Sequence, residues 1–170
     1  MHGYLLTIAY DGRAFAGWQR QAGFDTVQQR LEEALLAILG EPVTVHGAGR
    51  TDAGVHALRQ AAHVRIEKDF EPSRLLRAIN GNLPLDVRVT AVICVPPDFH
   101  ARFSAIGKRY VYRVVIASIA PVFDRGRRHW VRRPCDVSRM RTAARALVGE
   151  HDFAAFATNP GFERKHGTVR

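Results

Sequence analysis

Hydrophobic positions near the N-terminus fall on every second residue. Tyr4, Leu6, Ile8 and Tyr10 alternate with Leu5, Thr7 and Ala9, which is the period of a strand with one face turned to a core. Asp11-Gly12 closes that run, and the period then lengthens. Thr26 and Gln29 have the spacing of a capping box. Val27, Leu31, Ala34, Leu35, Ile38 and Leu39 recur at helical intervals until Gly40 and Pro42 stop them. Val43 and Val45 predict a second strand. In a third, Ala62, Val64 and Ile66 share one face while His63 and Arg65 take the other. A helix is expected over Pro72 to Asn80, carrying Leu75, Leu76 and Ile79 and closed by Gly81. Val87, Val89, Ala91, Ile93 and Val95 predict a fourth strand, ended by Pro96-Pro97.

The order strand-helix-strand-strand-helix-strand is the split βαβ, ferredoxin-like arrangement, which RNA-recognition domains share. Likeness of fold alone carries no function. The pattern then restarts. Ile106 to Ala117 predicts one long strand, with Tyr110, Tyr112, Val114 and Ile116 on one side and Arg109, Val111, Arg113 and Val115 on the other. Tyr112 is expected in a core. An Arg-rich loop from Arg125 to Arg133 follows. Asp136 is expected to cap a helix running to Leu147, with Val137, Met140, Ala144 and Leu147 inward and Gly149 as its stop. The fold class is therefore α+β: a ferredoxin-like (RRM-like) βαββαβ domain over residues 1–103, then the start of a second, incomplete α+β domain over 104–170.

Composition narrows the class of partner. A chain of 170 residues can bury a real core. Its formal charge of +9 suggests a polyanionic partner, a statement about association and not about fold. Cys94 and Cys135 form neither a disulfide framework nor a zinc spacing. The N-terminus enters a strand directly, without a signal-peptide pattern. The longest apolar run, Val114 to Phe123, is too short to span a membrane. A soluble cytoplasmic protein, with no membrane association, is expected.

The stretch with most chemistry is Gly47-Ala48-Gly49-Arg50-Thr51-Asp52-Ala53-Gly54-Val55-His56-Ala57. Its glycines let the backbone take positive φ or approach another molecule closely. Between them stand one acid, one guanidinium and one hydroxyl. The plain reading is that Asp52 forms a turn by bonding its own backbone. A dinucleotide fingerprint fails because Asp52 stands where its third glycine belongs, and no Gly-Lys-Ser/Thr ending makes a P-loop. His46, His56 and His63 with Asp52 invite a metal site, but the histidines lack the i, i+4 spacing of a helical ligand pair.

The string Gly49 to His56, Gly-Arg-Thr-Asp-Ala-Gly-Val-His, closely resembles the signature of the tRNA pseudouridine synthase A family, whose catalytic aspartate is the Asp of Arg-Thr-Asp. Other blocks are similar to that family and arrive in its order. They are Tyr10-Asp11-Gly12, Gly17-Trp18-Gln19-Arg20-Gln21, Thr26-Val27-Gln28, Asn80 to Pro84, Asp98 to Ala105 and Lys108-Arg109-Tyr110-Val111-Tyr112. The likeness covers residues 4 to about 113 and weakens beyond.

The resemblance implies isomerisation of uridine to pseudouridine in the anticodon stem-loop of tRNA, at positions 38, 39 and 40, by a homodimer. Asp52 would be the catalytic residue. Tyr110 would stack on the extruded base, with its hydroxyl available to relay a proton, and Arg50 and Arg102 would contact RNA. The reaction breaks the N1–C1′ bond, turns the base and rejoins it through C5, so it needs neither a redox cofactor nor a metal-bound hydroxide. A carboxylate is ionised at neutral pH and can attack C1′ or C6 and then leave. Family members continue past a Thr-x-Arg like Thr168-Val169-Arg170 into further strands and a helix, which supply a basic partner for the aspartate and much of the dimer contact. On that basis these 170 residues are expected to bind RNA at most. A non-catalytic basic RNA-binding module and a metal-dependent hydrolase are the competing readings.

Overall fold

Strand β1, His2–Tyr10, lies at the centre of a four-stranded sheet because both of its edges are paired. It runs antiparallel to β3, Ala57–Ile66, on one side and to β4, Val87–Val95, on the other. The two-residue strand β2, His46–Gly47, adds to the outer edge of β3, giving the order β2-β3-β1-β4. Helices α1, Val27–Leu39, and α2, Pro72–Asn82, complete a mixed α+β unit. The computed structural model describes residues 1–156 and divides the chain into two compact units, Met1–Tyr110 and Val111–Arg170.

The first unit owes its stability to one apolar layer. Tyr4, Leu6 and Ile8 of β1 are fully buried with Leu31 and Leu35 of α1 and Leu75 and Ile79 of α2. Each such side chain contributes about 1.5–3 kcal/mol when removed from water. Thr26 caps α1 by accepting from the Gln29 N–H at 3.4 Å, and Gly40 ends it with φ 78°. The capping box is half used, since the Gln29 amide donates to Glu33 instead. The Glu71 carboxylate caps α2 through Ser73 and Arg74, with Pro72 in the first turn.

Three expectations need correction in this unit. Gly81 does not end α2, which continues to Asn82. Pro84 ends it by forcing Leu83 into extended backbone at φ −90°, ψ 144°. Val43 and Val45 are not strand residues. The Val45 N–H and C=O are taken by the Glu32 and Gln28 side chains of α1, so no ladder forms there. In β4 the alternation breaks at a bulge opposite Thr7 and Ile8. The buried positions pass from Val87 and Val89 to Val92, and Ile93 is left exposed.

Within the second unit, β5, Val114–Ile116, pairs in parallel with β6, His129–Val131, and α3 covers Val137–Arg145. Asp136 caps α3 by accepting from Arg139. The long strand expected from Ile106 to Ala117 is confined to three residues, because among the described residues only β6 offers β5 a hydrogen-bonding neighbour. Tyr112 is 91% exposed and belongs to no core. The Arg-rich segment is not all loop, since it contains β6. Helix α3 stops before Leu147, and its apolar positions Val137 and Met140 face solvent, as does Leu147 beyond it. The stretch Thr168-Val169-Arg170 lies outside the described residues.

No residue from 111 to 156 is buried. A stretch with no buried residue among those described has little to resist local opening. Limited digestion with thermolysin is therefore expected to cut first between residues 111 and 156, leaving a fragment near residues 1–110. That fragment should keep the parent's cooperative melting transition. Its loss on digestion would show that the first unit does not stand alone.

Candidate active site

Residues 48–56 join β2 to β3, and both ends of this loop are fixed. The Ala48 N–H donates to the Ala61 carbonyl at 2.8 Å, and the Gln60 amide donates to the Gly49 carbonyl at 2.8 Å. The middle is gripped by the connection from β1 to α1. There the Trp18 N–H donates to the Thr51 carbonyl at 3.0 Å, and the Gly54 N–H to the Phe15 carbonyl at 3.2 Å. Three glycines make the approach possible, and a Cβ on the first of them, Gly12, would overlap the Val55 carbonyl. A Cβ on Gly17, which sits at φ +102°, would lie 2.6 Å from the Thr51 carbonyl oxygen. One on Gly47 would lie 2.6 Å from the Trp18 indole nitrogen.

A buried polar network ties the same two segments to α1. The Gln28 side-chain Oε1 accepts from the Gln19 side-chain amide at 2.8 Å and from the Arg20 N–H at 3.0 Å. The Gln28 amide donates to Glu32 at 3.0 Å and to the Val45 carbonyl at 3.1 Å. Glu32 in turn accepts from the Val45 N–H and pairs with Arg20 at 2.8 Å. Buried polar groups are tolerated because each finds a partner. The network fixes the spacing between the β1–α1 turn and the entry to the loop.

On that frame the Asp52 side chain is exposed. Its main-chain carbonyl accepts from Val55 at 3.2 Å and closes the turn, with Gly54 at φ +78°. Its carboxylate has no hydrogen bond or ion pair among the described residues, so the plain reading, a carboxylate tied to its own backbone, does not describe it. Arg50 is also exposed. Thr51, between them, bonds the Tyr10 hydroxyl at 2.8 Å. Tyr10 is buried, and burial raises its phenol pKa, with Thr51 pulling it down and nearby Tyr110 pushing it up. Tyr110 itself is 66% exposed and lies outside any strand. Asp52 and Arg50 thus flank Thr51, whose hydroxyl meets Tyr10, and Tyr110 acts on Tyr10 through its charge. Arg102 stands on another element, the segment following β4.

Two neighbours of this loop were not singled out from the sequence. Tyr10 reads there as the end of a strand and the start of a family-like block, with no role for its hydroxyl, whose contact spans 41 positions. Lys108 places its ammonium 2.7 Å from where a Gly49 Cβ would stand. The histidines, by contrast, separate. His56 Nδ1 lies 3.2 Å from Asp11 Oδ1 and 3.3 Å from the Gly12 nitrogen. The Arg13 side chain holds the Asp11 carboxyl down to about 2, and His56 adds to that effect. His46 and His63 instead stack on each other, with ring centroids 5.0 Å apart. Among the described residues no three donors gather into a metal site. No described helix is long and apolar enough to cross a membrane.

Comparison with known proteins gives a consistent relationship. A family model described as tRNA pseudouridine synthase matches residues 6–104. Similar proteins named tRNA pseudouridine synthase A include one from Limosilactobacillus fermentum, 50% identical over 162 residues that cover 94% of this chain and 63% of that protein. The protein from Cereibacter sphaeroides is 51% identical over 154 residues, 90% of this chain and 60% of its own. That from Methylacidiphilum infernorum is 47% identical over 164 residues, 96% of this chain and 64% of its own. The chain thus spans less than two thirds of the length of these relatives.

Proposed function

The chain belongs to the tRNA pseudouridine synthase family, and from that premise we propose that it serves the isomerisation of uridine to pseudouridine in the anticodon stem-loop of tRNA, at positions 38, 39 and 40, with Asp52 as the catalytic residue. The observation that carries this reading is the exposed carboxylate of Asp52, unbonded among the described residues, on a loop held by main-chain contacts at Thr51, Gly54 and Gly49. A fixed loop with an open acid is suited to meeting a nucleoside brought from outside.

The chemistry conserves every atom. The N1–C1′ bond breaks and the C5–C1′ bond forms. The C5 proton is lost to solvent, and N1 gains one. Asp52 acts as the anionic partner of the reacting nucleoside, at C1′ or at C6, and departs once the base has turned. Extruding the uridine costs a few kcal/mol, roughly. Stacking on the Tyr110 ring returns about 1–3 kcal/mol. Arg50 and Arg102 supply cationic contacts to the backbone. The strand order β2-β3-β1-β4, with two helices, supports reading the first unit as a ferredoxin-like, RNA-recognition-type fold. The reading includes a cytoplasmic location and a homodimer in the full-length protein.

The deciding experiment uses tRNA labelled with tritium at uracil C5 and the full-length gene product. Release of label from positions 38 to 40 is the expected result. Tight tRNA binding with no release would favour a module that holds RNA without changing it. The 170-residue chain should bind the same tRNA with an affinity that falls with salt, at a log–log slope of about −0.7 per phosphate contacted in single-stranded regions. Filter binding between low and moderate salt measures that slope.

A further inference from the structure

The second face of the sheet carries a buried histidine that the proposed chemistry does not use. His63 stands mid-way along β3, opposite Leu5 of β1, and is 1% exposed. An apolar residue would be cheaper there, since a buried imidazole needs partners. Its partner is the segment that follows β4. His63 Nδ1 accepts the Ala101 N–H at 3.2 Å. Two residues along the same strand, Arg65 donates to the Pro97 carbonyl at 2.6 Å and to the Phe99 carbonyl at 3.2 Å. His100 lays its ring 4.7 Å from that of His63 and accepts the Arg102 N–H on its own Nδ1 at 3.3 Å. Consecutive amides, those of Ala101 and Arg102, therefore end on histidine acceptors.

We propose that His63 is a positioning residue for RNA binding: through its Nδ1 it anchors the Ala101 N–H, and so sets where the next residue, Arg102, presents its guanidinium to an RNA phosphate. This rests on the reading of Arg102 as an RNA contact given above. The bond fixes the tautomer, because a nitrogen that accepts from an N–H carries no proton, which leaves the hydrogen on Nε2. Nε2 is sealed from solvent without a hydrogen-bond partner at ordinary geometry, although the His46 main chain lies close enough to offset burial slightly. The anchor works only while the imidazole is neutral. Burial, followed by His100 from the overlying segment, His46 from β2 and Arg65 from its own strand, lowers the His63 pKa from 6.5 to about 4.

That shift has a definite sign. Between pH 6.5 and about 4 the unfolded chain binds a proton at position 63 and the folded chain does not. Stability therefore falls as pH is lowered through that window. The His63→Asn variant should flatten that limb of the stability profile.

The test is tRNA affinity, measured by filter binding with an anticodon stem-loop transcript. His63→Asn keeps an acceptor at the place of Nδ1. His63→Gln carries the same amide one methylene further, out of register with Ala101. The expected result is near-parent affinity for Asn and a loss of roughly 5- to 10-fold for Gln, about 1–1.4 kcal/mol by the standard conversion. The salt slope of the Gln variant should shallow by about one phosphate, as it does for Arg102→Ala. In the double variant, His63→Gln should add nothing to Arg102→Ala. Equal affinities for the Asn and Gln variants, or losses that add in full, would overturn the positioning role alone. Unchanged affinity and slope in Arg102→Ala would remove the RNA contact beneath it, and the proposal with it.

Discussion

Replacing Asp52 with alanine in the full-length protein is expected to stop tritium release from C5-labelled tRNA, lowering turnover by about four orders of magnitude or more. The same variant should melt with the parent. The side chain is exposed and its carboxylate has no hydrogen bond or ion pair among the described residues, so its removal should change stability by no more than about 0.5 kcal/mol. tRNA affinity should stay within a few-fold, because the cationic contacts are untouched. The combination matters more than the loss. An inactive variant that also unfolds would point to a structural aspartate, and a variant that still releases label would end the assignment. Rate assays and thermal melts on one preparation settle it.

A second large effect is expected far from any reacting atom. Gly17→Ala adds a methyl group 2.6 Å from the Thr51 carbonyl oxygen, and also forces an L-residue to φ +102°. Both segments are backbone held by hydrogen bonds, so neither can give cheaply. The combined cost should be about 2–4 kcal/mol. What survives folding should place Thr51 and Asp52 wrongly, and a shift of the order of 1 Å costs about 100-fold in rate. Gly23→Ala is the control. It has the same kind of positive φ, +79°, with nothing within 4 Å of the new methyl group. It should lose about 1 kcal/mol and keep its activity. Matched activities for the two variants would mean that the contact at Gly17 does not set the loop.

Local signals in the sequence read well where the cause of the structure is itself local. Thr26 and Gly40 bound α1 as their chemistry dictates, and the alternation of β1 passes directly into burial. Failures came where a distant group decided the outcome. Val43 and Val45 look like a strand, and nothing nearby in the chain says that Gln28 and Glu32 will take the Val45 main-chain groups. The β4 bulge depends on register with β1, which alternation alone cannot reveal. In the segment 106–117 the pattern is that of a strand, but a strand exists only where a neighbour completes its hydrogen bonds. For the candidate site, the string around Asp52 singled out the loop between β2 and β3. It did not reveal that Tyr10 supports Thr51, or that Gly17 and Gly47 serve close packing and not chain reversal.

The Gln28–Glu32 network has a consequence for the order of events during recognition. With helix, turn and loop entry cross-bonded inside the fold, this side of the encounter has almost no freedom to reshape. Under the proposed function, a stem-loop arriving at such a surface would do the adapting, opening its own stack before any chemistry begins. Transcripts whose hairpins are already loosened, by a mismatch or an enlarged loop, should therefore be accepted more readily than rigid ones.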